Sequence, residues 1–187
     1  AIEGLPKRDL DDVVGYYHTG GTTGTPKLVP HTNRMQLIQF AATGYLVGYT
    51  QSDRTIAALP FFHISGSIVA GLVPLMQGVT SVIASPMGWR DPLLIANYWK
   101  MVEKFKLTIL GTVPTVLSAL LNIPVDGADI SRLRIGITGG SGTPLEVLHG
   151  ISKMSGFAML EGSGMSKVSS YTTMVARDGE PRFGSVG

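Results

Sequence analysis

Cysteine is absent from this 187-residue chain, so neither a disulfide framework nor a thiolate-held metal is available, and a reducing, cytoplasmic compartment fits. Charge is scarce. Asp, Glu, Lys and Arg make up 15% of the residues and leave a formal net charge of +2, with no Lys/Arg run of the kind that marks a nucleic-acid surface. No apolar stretch reaches the roughly 18 residues of a membrane span. The opening segment, Ala1 to Asp12, mixes apolar and charged residues and does not read as a secretory signal. Internal repeats, low-complexity tracts and a clear linker are also lacking. What the chain does have is a hydrophobic fraction of 44%, the balance of a packed core and not of a disordered segment.

The apolar residues come in short continuous runs separated by helical patterns. Val13–Tyr17, Thr55–Leu59, Val79–Ile83, Leu107–Leu110, Leu133–Ile137, Phe157–Leu160 and Ser169–Val175 read as strands. Helices are expected over Thr32–Gly48, over Ile64–Met76 as a buried helix apolar nearly all round, over Asp91–Phe105, Thr115–Leu121 and Pro144–Met154. Asp91 followed by Pro92 is a strong helix start. Strands that are apolar on both faces and alternate with helices imply an α/β fold: a mostly parallel sheet flanked by helices on both faces, forming a single α/β subdomain over residues 1–187. In such sheets ligands sit beyond the carboxyl ends of the strands, and the glycine-rich turns after Tyr17, Leu59, Leu110, Ile137 and Leu160 fall at that end.

The segment His18-Thr-Gly-Gly-Thr-Thr-Gly-Thr-Pro-Lys27 is the most informative. Glycines let backbone N–H groups turn toward an anion, threonine hydroxyls add donors, and Lys27 adds a point charge, which together suit a polyphosphate. No Gly-Lys pair opens a helix, and Pro26 and Pro30 forbid an immediate one, so a Walker A loop is excluded. By composition alone an ordinary Gly/Thr turn is the alternative.

Thr19 to Lys27 resembles the phosphate loop of the adenylate-forming superfamily, which contains acyl-CoA synthetases, luciferases and peptide-synthetase adenylation domains. Further segments resemble the same family in the same order: Leu59-Pro-Phe-Phe-His-Ile-Ser-Gly66, Gly111-Thr-Val-Pro-Thr-Val116, Thr138-Gly-Gly-Ser-Gly142, Glu161-Gly-Ser-Gly-Met-Ser-Lys167 and Gly184-Ser-Val-Gly187. His31 falls where the family often has a Ser-His or similar pair. The resemblance implies an AMP-forming acid–CoA ligase that uses ATP, Mg²⁺ and coenzyme A on a small-molecule carboxylic acid, with this chain an internal fragment of the large N-terminal domain.

By that resemblance Thr19, Gly20, Gly21, Thr22, Thr23, Gly24, Lys27 and Ser166 hold the ATP phosphates. Gly139, Gly140, Ser141, Gly142, Glu161, Gly162, Ser163, Gly164 and Met165 surround the adenylate. Phe62, His63, Gly66 and Val113 shape the acyl pocket, whose apolar character favours a fatty or aromatic acid. The family's catalytic lysine is expected outside these residues. Ser163 stands where the family has an aromatic residue against adenine, and Lys167 where it has the glutamate that binds Mg²⁺. Those departures keep a second reading open, a catalytically degenerate nucleotide- or acyl-binding module of the same fold.

Overall fold

The computed structural model describes residues 4, 6–19, 26–157, 159–179 and 182–187. Strand β1 (Val13–His18) pairs antiparallel with β2 (Leu28–Thr32), Tyr17 opposite Val29 and His18 opposite Leu28. The sequence reading ran from loop to helix here and missed β2, because Pro30 is a poor strand residue. Pro30 lies opposite Tyr16 in the two-stranded hairpin. The expected burial of β1 is also corrected: Val13 and Val14 are both 42% exposed, since a two-stranded ribbon covers little of its own surface.

Helix α1 (Asn33–Val47) starts where the Thr32 hydroxyl accepts the Met35 amide at 3.3 Å and stops at Gly48, whose left-handed φ of 67° closes the helix. Its buried face is Gln36, Phe40, Thr43, Gly44 and Val47, and Ile38 is exposed. Gly44 is there because α1 passes close to the chain after α2: a Cβ would meet the Gln77 side chain at 2.4 Å. After β3 (Arg54–Ile56) the chain enters a π-helical segment, Ser65–Leu72, that continues as α2 (Val73–Met76). Pro74 has no N–H to return to the preceding turn, and the wide turns lie immediately before it. Ile64, Ile68 and Val73 pack with Phe40, but Leu72, Leu75 and Met76 are exposed, so this helix is buried on one side only.

Strand β4 (Thr80–Val82) runs parallel to β3. The helix expected over 91–105 is two: α3 (Pro92–Ala96), capped by Asp91, and α4 (Tyr98–Phe105). Between them the Asn97 side chain donates to the Leu93 carbonyl at 2.9 Å, a local bond that competes with the helix ladder.

The main sheet has the order β5 (Ile109–Thr112), β6 (Ile135–Gly139), β7 (Met159–Gly164), β8 (Tyr171–Met174), parallel except for β8. The Thr108 amide donates to the Arg54 carbonyl at 2.9 Å and joins β3 to this sheet at its edge. Helices α5 (Pro114–Leu121) and α6 (Leu145–Ser155) cover one face together with α4, with Trp99, Leu117, Leu120, Leu148 and Ile151 fully buried against Leu110 and Met159. Alternate strand residues Ile109, Ile135, Ile137, Leu160 and Met174 point to the other face and meet Val47 of α1. Helices on both faces of a mostly parallel sheet are the architecture the alternating pattern implied.

Each of β5, β6 and β7 begins two residues later than the apolar runs suggested, so several residues read as turn glycines are strand ends. At Gly139 a Cβ would lie 2.5 Å from the Gly162 carbonyl oxygen, and a residue with a side chain would push the strands apart. At the amino end of the sheet, the buried Asp53 carboxylate accepts from Arg134, from the Thr108 hydroxyl at 2.7 Å and from the Thr50 amide at 2.7 Å. Burial alone pushes this carboxyl up, but the bonds from Arg134, Thr108 and Thr50 outweigh it and bring it down to about 2. The same Arg134 donates to the Gly48 carbonyl at 2.9 Å, tying the end of α1 to β3 and β6.

Candidate functional site

The carboxyl ends of the strands open onto a cleft of about 1020 Å³. The hairpin contributes Thr19 and Lys27, the segment after β3 contributes Leu59 and His63, and the end of β5 with the turn after it contributes Gly111 to Thr115. Gly139 to Ser141 come from the end of β6 and Gly164 to Lys167 from the end of β7. Described residues from each of the turns that the sequence marked therefore reach one place. The interior is lined by Ile56, Ile64, Val69, Pro74, Ile109 and Ile137, with Thr55, Ser170 and the phenols Tyr49 and Tyr171 among them.

The hairpin sets the neck of the Gly/Thr loop. The Thr19 amide donates to the Lys27 carbonyl at 2.9 Å, and the Lys27 amide donates to the Thr19 hydroxyl at 3.3 Å. Gly20, Gly21, Thr22, Thr23 and Gly24 lie outside the described residues.

Beside this neck sits the short helical turn Ser166–Val168. The Ser166 hydroxyl donates to the His18 carbonyl at 3.3 Å. His31, on β2 and fully buried, holds the turn from both ring nitrogens: Nε2 is 2.6 Å from the Ser166 carbonyl and Nδ1 is 2.9 Å from the Ser169 hydroxyl. A carbonyl oxygen only accepts, so Nε2 carries a proton. The His31 ring also packs on Tyr17, centroids 4.5 Å apart. The sequence marked His31 only by position, and its part in joining the hairpin to the Ser166 turn became visible in three dimensions.

His63 is set by its own turn. The Ser65 amide donates to His63 Nδ1 at 3.1 Å and the Ser65 hydroxyl lies 2.7 Å from the same atom, which leaves the proton of the neutral ring on Nε2. Burial, and after it the neighbouring His18, hold this imidazole below its ordinary range, so the neutral donor persists at neutral pH. Gly66 makes the turn possible: a Cβ there would sit 2.1 Å from the Pro60 carbonyl oxygen.

Other expected site residues stand apart from the cleft lining. Phe62 is 67% exposed and lies near the Arg90 guanidinium. Gly142 and Ser163 are exposed outside it, and Ser163 pairs with Thr173 of β8. Glu161 is buried and accepts the Gly184 amide at 2.9 Å, so its carboxylate anchors the segment that follows Arg182. Gly162 supports Tyr171, since a Cβ at Gly162 would meet the Tyr171 ring at 2.6 Å. Tyr171 was not singled out in the sequence; it sits on β8, over Gly139 and Gly162, with its phenol pushed up to about 12 by burial.

The donor set does not suit a protein-held magnesium ion, which favours carboxylate oxygens. Among the described residues the lining holds no Asp or Glu, and no group of His, Cys, Asp or Glu converges as a metal site. Its charged side chains there are Lys27 and Lys167. Among the described residues, no helix is long and apolar enough to cross a membrane.

Fold and cleft together define an α/β protein with a cleft at the carboxyl ends of its strands, where Lys27 and Lys167 stand. The model of the AMP-binding enzyme family matches residues 3–187, and the chain belongs to that family. It is 34% identical over 178 residues to a marinolic acid–CoA ligase of Pseudoalteromonas sp. (strain SANK 73390), covering 92% of this chain and 27% of that protein. Among solved structures it is similar to ATP-bound MatB from Rhodopseudomonas palustris, with a TM-score of 0.81 at 26% identity over 96% of this chain and 34% of that one. It is also similar to the O-succinylbenzoate coenzyme A synthetase MenE of Bacillus subtilis in complex with ATP and magnesium ion, with a TM-score of 0.77, 26% identity, and 96% and 36% of the two chains covered. The chain thus spans between 27% and 36% of the length of these relatives.

Proposed function

We propose that the complete protein activates a carboxylic acid with ATP and passes the acyl group to coenzyme A. In the first step a carboxylate oxygen attacks the α-phosphorus and the bond to pyrophosphate breaks, leaving an acyl-adenylate. In the second the coenzyme A sulfur attacks the acyl carbon, the bond to AMP breaks, and the thiol proton passes to solvent. Neither step needs a side-chain nucleophile, so the protein's work is positioning and charge stabilisation.

The observation that carries this reading is the convergence of the glycine-bearing turns on one cleft, with hydroxyls and lysines in the turns and an apolar interior. Thr19, Lys27 and Ser166 are suited to phosphate, and Gly139 to Ser141 with Gly164 and Met165 are suited to the adenylate. His63, with Nε2–H available, meets the acid's carboxylate as a neutral donor. The interior of Ile56, Ile64, Val69, Ile109, Ile137 and Val113 favours a fatty or aromatic acid. The names of the relatives, CoA ligases, support the same reaction class.

The test is acid-dependent exchange of pyrophosphate into ATP by the complete protein. Lys27→Ala is expected to lower the exchange rate by about 100-fold or more, the scale of losing one charge-stabilising donor. An unchanged rate removes Lys27 from the phosphate site. A module that binds nucleotide without chemistry is the second reading, favoured by Ser163 and Lys167 at positions where the family carries an aromatic and a glutamate. A native protein that binds ATP but shows no exchange with any fatty or aromatic acid would establish it.

A further inference from the structure

The backbone that carries Lys167 is held in place. Its turn is held by His31 at Ser166 and Ser169, by the Ser166 hydroxyl on the His18 carbonyl at 3.3 Å, and by the Val168 amide on the Met165 carbonyl at 3.1 Å. The bond to His18 sets this turn against the strand end that leads into the Gly/Thr loop, while Lys27 stands at the loop's other end. Both lysines line the cleft, and among the described residues neither is in an ion pair. Glu161, the acid nearest to Lys167 in sequence, is buried and committed to the Gly184 amide. A triphosphate entering the cleft meets protein cations and no protein carboxylate among these residues. A divalent ion entering it meets two like charges and, among the same residues, no ligand that prefers it.

We propose that Lys167 contacts the phosphates of bound ATP directly and takes the place of a cation held by the protein, so that this protein binds metal-free nucleoside triphosphate. The inference rests on the nucleotide reading above. Lysine supplies a compact point charge with donors suited to phosphate oxygens, and the anchored turn sets its backbone at the cleft. The contrast is with MenE, whose structure holds ATP together with magnesium.

Calorimetric titration of the complete protein with α,β-methylene-ATP, in EDTA and in excess Mg²⁺, tests this. The native protein is expected to bind in EDTA with a Kd within about threefold of that in Mg²⁺, a difference below 1 kcal/mol. Lys167→Met, which keeps the length without the charge, is expected to weaken binding in EDTA by about tenfold or more, the scale of one charge-assisted contact. Lys167→Glu is expected to lose binding in EDTA and to recover part of it with Mg²⁺. Native binding that needs Mg²⁺, or a folded Lys167→Met protein that binds like the native one in EDTA, overturns the inference and leaves the nucleotide reading standing. Absence of binding by the folded native protein in both buffers overturns the nucleotide reading, and this inference with it.

Discussion

Replacing His31 with Phe tests whether the hairpin and the Ser166 turn act as one unit. Phe keeps the ring and its packing on Tyr17 but removes the bonds from Nε2 to Ser166 and from Nδ1 to Ser169. Each net hydrogen bond is worth about 1 kcal/mol, and a buried group left without a partner costs about 1–3 kcal/mol. Ser169 is fully buried and bears that penalty in full, whereas the Ser166 carbonyl is closer to solvent. Together they set the expected loss at about 2–4 kcal/mol. Urea unfolding of the complete protein reads this as a lower midpoint at unchanged slope. A cycle with Ser169→Ala is expected to show a coupling of about 0.5–3 kcal/mol, because the two residues share a bond. Since the turn carries Ser166 and Lys167 into the cleft, affinity for α,β-methylene-ATP is expected to fall as well, at temperatures where the variant is folded. A loss below about 0.5 kcal/mol, the scale of ordinary surface substitutions, with an additive cycle and native affinity, would refute the reasoning.

Two further outcomes are expected from the rest of the fold. The Asp53 carboxyl lies below its unfolded value of 3.8, so its contribution is complete above that pH and is lost as pH falls through 3.8 toward about 2. At full strength the displacement is worth about 2.5 kcal/mol, reduced to about 1–2 kcal/mol because Arg134 is partly solvated; Asp53→Asn should flatten stability across that window in acid titrations monitored by circular dichroism, and an unchanged profile would show that the pair is not formed. Gly66→Ala puts a methyl against the Pro60 carbonyl, so it is expected to cost about 1–3 kcal/mol and to displace His63, raising KM for the acid in steady-state assays; native stability and KM would show that the turn relaxes freely.

The candidate site was marked in the sequence by local features. The glycines, hydroxyls and lysine that suit a polyphosphate fall within one stretch of chain, Thr19 to Lys27, whose two ends line the cleft. The Asp91 cap, the helix read over Thr115–Leu121 and observed over Pro114–Leu121, and the alternation of apolar runs with helical patterns are likewise written in neighbouring residues. Hence the layered α/β architecture and the end of the sheet that carries the cleft followed from sequence order alone.

What sequence order could not supply depends on residues far apart in the chain. β2 is a strand because β1 offers it a partner, despite Pro30. β6 and β7 end on Gly139 and Gly164, where a Cβ would lie 2.5 Å from the Gly162 carbonyl oxygen and 2.2 Å from the Ser170 carbonyl oxygen. Glu161 turns out to hold Gly184 and not the cleft, Tyr171 enters the lining from β8, and His31 spans 135 residues of sequence to grip Ser166. Burial, pairing and hydrogen-bond satisfaction are set by neighbours that only folding brings together, and they decided which of the marked residues line the cleft.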